Sequence, residues 1–166
     1  MDRGLIGAFA GMAATAAMTI AVDAMFSRLP REQRYPLPPR EITTKVAAES
    51  GLARHLSESR RVSATLISHF GFGAAVGALY PLVARLMPGP PMLNGIAYGI
   101  AVWAGSYFGW IPAFGILRPA TTHPTERSVV MILGHVVWGA VTGVVADRLE
   151  RAGASSLAGG EMRDWG

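Results

Sequence analysis

Four stretches of this chain are long, apolar and almost without charge, and any fold must first account for them. Gly4 to Val22 carries no charged residue, and its helical pattern continues past Asp23 to Phe26. Val62 to Ala84 holds His69 and Ser128 to Ala146 holds His135, while Met92 to Leu117 has no charged residue at all. A bilayer core about 30 Å thick takes roughly 20 helical residues at about 1.5 Å each. Helices in water need a charged face, and these stretches show none. The chain therefore reads as an all-α membrane protein, a bundle of four transmembrane helices at about 4–26, 62–87, 92–117 and 128–147. One domain would span 1–151, with a disordered tail over 152–166.

Composition supports this. Only 16% of the residues are charged, against about 25% in an ordinary soluble domain. A sequence pI near 10.1 could suggest nucleic acid. The basic residues instead flank the apolar spans, as membrane topology requires, and no aromatic-basic RNA motif or zinc-finger spacing occurs. The expected partners are the bilayer and a membrane protein or second copy, with no nucleic acid. Cysteine is absent, which excludes disulfides and thiolate metal sites. The first span is longer than a signal-peptide core, and Asp23 spoils the Ala21–Ala24 stretch as a cleavage site, so a retained helix is expected.

Arginine and lysine set the orientation. With four spans, both termini and the second loop share one side, which holds five basic residues. Loops one and three hold ten, from Arg28 to Arg61 and at Arg118 and Arg127. The positive-inside rule puts those loops in the cytoplasm and both termini outside. Loop one opens with prolines, and a short helix is expected from Arg40 to Ser50, between Pro39 and Gly51.

Small residues would hold the spans together. Lipid tails are as apolar as leucine, so helices in a membrane associate by close backbone approach. Gly-x-x-x-Gly occurs in every span: Gly7/Gly11, Gly73/Gly77, Gly95/Gly99 with Gly105/Gly109, and Gly139/Gly143. Pro112 interrupts the third span and should kink it, among Tyr107, Phe108, Trp110 and Phe114.

The two histidines sit in a repeated pattern. Residues 69–77 and 135–143 both read His-x-x-aromatic-Gly-Ala-x-x-Gly. Each histidine lies seven residues into a span that starts on the same side, hence roughly 10 Å deep at about 1.5 Å per residue. Asp23 is on that side too. Intramembrane ionisable groups usually face the bundle interior and find one another, so His69, His135 and Asp23 form a candidate polar cluster, with a direct His69–His135 contact expected. Three readings compete for it: a structural bond between helices, a proton or substrate pathway, and a bis-histidine haem b site. No catalytic residue, cofactor or metal site is otherwise indicated. A phosphate-binding loop, a nucleophile elbow and a His-Glu-x-x-His helix are all missing, so a non-enzymatic role is expected.

Pro36-Leu37-Pro38-Pro39-Arg40 after the first helix, Gly77-Ala78-Leu79-Tyr80 ending a histidine-bearing helix, and Gly134-His135-Val136-Val137-Trp138 in the last span resemble the YagU-like family of uncharacterised small bacterial inner-membrane proteins. The resemblance covers about 36–143. It implies a multipass inner-membrane protein and supplies no reaction. The expected function is accessory or envelope maintenance; the alternatives are a small transporter or proton channel using the histidine pair, and a haem-binding redox protein.

Overall fold

The structure, a computed structural model, describes residues 2–52, 56–116 and 124–161, with side chains as far as 153. The expected end of the third helix at 117, Arg54 and Arg118 of the connections, and the tail beyond 161 lie outside the described residues. Every regular element among the described residues is helical: α1 (Arg3–Phe26), a 3₁₀ turn (Arg31–Gln33), α2 (Pro38–Glu49), α3 (Glu58–Ala84), α4 (Pro91–Ala104), a π segment (Gly105–Trp110), a single turn α5 (Ile111–Ala113) and α6 (Thr125–Glu161).

Local sequence explains the starts. Asp2 caps α1, its Oδ1 accepting from the Gly4 and Leu5 amides at 2.8 and 3.3 Å. Ser57 caps α3 through the Arg60 amide, and proline opens both α2 and α4, where its missing N–H costs nothing. The helix expected at 40–50 is α2, which begins two residues earlier.

Three helices are long and apolar enough to cross a membrane: α1, α3 and α6 as far as Gly153. The apolar run expected at 92–117 is not one such helix. It is fourteen residues of α-helix followed by the π segment. The expected kink is present, among Tyr107, Phe108 and Trp110. Gly109 leaves helical geometry at φ −105° and ψ −109°, three residues before Pro112. The proline ring crowds the carbonyl four residues back, Phe108, and the neighbouring glycine is where the chain bends most easily. At the other end of the chain, α6 continues past 147, where the sequence reading ended it, and into the segment read as a tail.

The packing centres on α1, which lies against both α3 and α6, while α4 lies against α6. Glycine makes each approach possible. A Cβ on Gly7 or Gly11 would collide with the backbone of Gly77 or Gly73 on α3. One on Gly95 or Gly99 would collide with the backbone of Gly139 or His135 on α6. Gly143 abuts the Pro91 carbonyl in the same way. Gly105 and Gly109, by contrast, meet nothing within 4 Å of an added Cβ; they belong to the break.

Helices α3 and α4 meet at the end joined by their short connection. The Tyr98 hydroxyl donates to the Val76 carbonyl at 2.8 Å, that of Tyr80 to the Pro91 carbonyl at 3.2 Å, and the rings lie 5.4 Å apart. Trp138 extends this aromatic row and, 4% exposed, anchors the core between Tyr98 and α1. Toward the other end α3 and α4 part. Large apolar side chains face outward, with Ile67 and Leu82 74% and 59% exposed, as suits a lipid-facing surface.

Candidate functional site

Where α3 and α4 part, the bundle holds a cavity of about 880 Å³, within the size range of pockets that take whole small molecules. Its walls come from the loop-one half of every long helix: Thr15 to Phe26 of α1, Thr65 to Gly73 of α3, Val102 to Ile111, and Met131 to Trp138 of α6. Residues 34–40 and Ile42 roof it. Most of the lining is apolar or aromatic, and about a third of the lining residues carry a polar or charged side chain.

All three residues of the expected cluster line this cavity: His69, His135 and Asp23. They do not bond to one another. The Nε2 of His69 lies 3.4 Å from the Thr19 hydroxyl on α1. The Nδ1 of His135 lies 2.8 Å from the Met131 carbonyl of its own helix, and its ring meets Tyr107 edge-on at 6.4 Å. The expected direct histidine pair is therefore replaced by two rings on one wall system. The reason is the packing order: α1 is the common neighbour of α3 and α6, which touch each other little. Each ring has one nitrogen so engaged, and the other faces no partner among the described residues. No group of three or more His, Cys, Asp or Glu stands together among the described residues.

Two polar arrangements were not visible as motifs. The first is the floor. Thr15, 1% exposed, donates to the Gly11 carbonyl and accepts from Trp138 Nε1 at 3.1 Å. That bond ties α6 to α1 just where Gly73 of α3 packs on the same threonine. A threonine four residues after a packing glycine was the available signal.

The second is the roof. Arg127 opens α6 and is 3% exposed. Its Nη1 donates to the carbonyls of Gln33 and Tyr35 at 3.2 and 3.0 Å, and its Nη2 to that of Pro36 at 2.6 Å. The guanidinium also stacks 3.6 Å over the Tyr35 ring. A buried cation needs such a set of acceptors. In the sequence Arg127 counted only as a topology charge; its work is to hold loop one down over the cavity. Helix α2 then lies on α3, with Arg40 paired to Glu58.

The rim is mixed in sign. Asp23, Arg34 and Arg40 line it. Arg34 donates through Nε to the Leu29 carbonyl. Neither Arg34 nor Asp23 forms an ion pair among the described residues. Between α3 and the π segment the side wall is closed by Phe72 against Trp110, ring centres 5.8 Å apart.

Comparison with known proteins places the chain by family alone. No curated protein and no solved structure matches it. A family model described as "Protein of unknown function (DUF1440)" matches residues 15–144. The match begins at Thr15 of the cavity floor and takes in every residue that lines the cavity. With most of its length inside that model, the chain belongs to the DUF1440 family.

Proposed function

We propose that this is a non-enzymatic multipass protein of the bacterial inner membrane that holds a small molecule inside the bilayer, in the service of envelope maintenance. The observation that carries it is the half-open cavity of about 880 Å³ between apolar helices, roofed by the loop that Arg127 fixes. In this reading α4, the π segment and α5 together make a fourth crossing, Pro91 to Ala113. Its 23 residues reach across a bilayer core at about 1.5 Å each. Loops one and three face the cytoplasm by their excess of arginine and lysine. The YagU-like resemblance supports the inner-membrane location. The glycine contacts between α1 and α3 and between α4 and α6 serve as the packing surfaces of the bundle.

Native mass spectrometry of protein extracted in mild detergent tests the holding role. Wild type should carry a small-molecule adduct, and Thr19→Phe, which fills the cavity from α1, should lose it while staying helical and monodisperse. Bare wild-type protein would sink the reading. A transport role is the second reading, favoured by His69 and His135 lining one space. It requires that His69→Ala and His135→Ala abolish flux in liposomes without loss of folded protein. A haem b between the rings would declare itself by a Soret band in the same sample.

A further inference from the structure

The charges at the rim, together with the exposed Phe72–Trp110 seam, identify a class of occupant. We infer that the cavity takes a phospholipid with an ammonium-bearing head, its chain lying between α3 and the π segment and its head at Asp23 and Arg34. The inference rests on the holding role proposed above and names what is held.

Three observations converge. First, α3 and the π segment are bridged by Phe72 against Trp110, both substantially exposed, so this seam of the cavity wall would face the acyl chains of the bilayer. Second, the interior below the rim is lined by apolar groups such as Val22, Leu66, Phe72 and Val102, down to Trp138. A chain entering sideways exchanges one mostly apolar surrounding for another and passes His69 and His135, each with one ring nitrogen already engaged. Third, the rim charges match a zwitterion. Arg40 shares its charge with Glu58. That leaves one cation, Arg34, and one carboxylate, Asp23, without ion-pair partners among the described residues. A phosphate on Arg34 and an ammonium on Asp23 satisfy both, whereas a purely anionic head would leave Asp23 opposed to it.

Trp138 is a built-in reporter, because it lines the cavity and is otherwise buried in the bundle. The full chain with Trp103, Trp110 and Trp165 each changed to Phe, leaving Trp138, is placed in nanodiscs of phospholipid brominated along the chain. Phosphatidylethanolamine should quench most of the Trp138 emission, and phosphatidylglycerol clearly less. Asp23→Asn or Arg34→Gln should erase that difference, and Thr19→Phe should restore the emission. Equal quenching by both heads overturns the head assignment. Quenching by aqueous acrylamide but by neither lipid overturns the lipid while leaving the cavity's holding role intact. Emission untouched by lipid and acrylamide alike overturns both. Native mass spectrometry of wild type, offered the two lipids in competition, repeats the comparison with every tryptophan in place; retention of phosphatidylglycerol over phosphatidylethanolamine overturns the assignment there too.

Discussion

Replacing Arg127 should release loop one without unfolding the bundle. In the folded protein its guanidinium satisfies three main-chain carbonyls, of Gln33, Tyr35 and Pro36, and covers the Tyr35 ring. Hydrogen bonds from a charged donor contribute about 1.5–3 kcal/mol each. Taking the cation out of water offsets several kcal/mol of that, leaving about 3 kcal/mol net. None of the three acceptors belongs to a long helix, so the loss falls on the loop. At about 1.4 kcal/mol per factor of ten, Arg127→Ala should raise the population of the opened loop about 100-fold. Hydrogen exchange reads this directly. The amides of Gln33 and Arg34, bonded to the Pro30 and Arg31 carbonyls, should exchange about two decades faster. Amides in the middle of α1 and α6 should hold their rates. Arg127→Lys keeps the charge but not the two-nitrogen fork, and should fall nearer to Ala than to wild type. Unchanged exchange in Arg127→Ala, or full protection in Arg127→Lys, would refute the clamp.

Three further outcomes follow from the same geometry. Gly95→Leu should prevent recovery of monodisperse protein, because its Cβ would occupy the place of the Gly139 carbonyl; Gly71→Ala, with nothing within 4 Å, should leave the thermal midpoint equal or raise stability by about 0.5–1 kcal/mol. Trp138→Phe removes the bond to Thr15 and should cost about 1 kcal/mol in thermal unfolding, since Thr15 keeps its bond to Gly11. A reporter fused at the C-terminus should be active only outside the cytoplasm, and activity on the cytoplasmic side would reverse the proposed topology.

The apolar runs made the long helices legible, because nothing except burial or lipid tolerates so little charge over so many residues. The glycine spacing also showed which faces are smooth. It did not show which helix each face meets. Residues 69–77 and 135–143 look alike in sequence, yet Gly73 and Gly77 rest on α1 while Gly139 and Gly143 rest on α4 and the residue that opens it. Similar local sequence therefore built two similar helix pairs rather than one contact between the copies, and the histidines came apart accordingly. The aromatic of the repeat diverges as well: Trp138 is buried against Tyr98, whereas Phe72 stands at the cavity edge. The roof was illegible because carbonyl oxygens, which every residue carries, are the partners of Arg127. The bend was legible from Pro112, and it falls at Gly109 because a proline's steric demand acts on the turn before it.

The unequal pairing of the helices has a consequence for synthesis. Helix α1 finds its partner α3 as soon as the first 84 residues are in the membrane, so that pair can close early. Helix α4 enters next, with its glycines exposed and little of α3 to rest on, and its principal neighbour α6 is the last helix made. Between those two events the nascent chain displays a bare, sticky surface to the crowded bilayer. Arrest of translation in the connection before Thr125 would strand the chain in that condition. A ribosome-bound chain of that length should therefore cross-link to insertion factors through α4, and release them once α6 has entered.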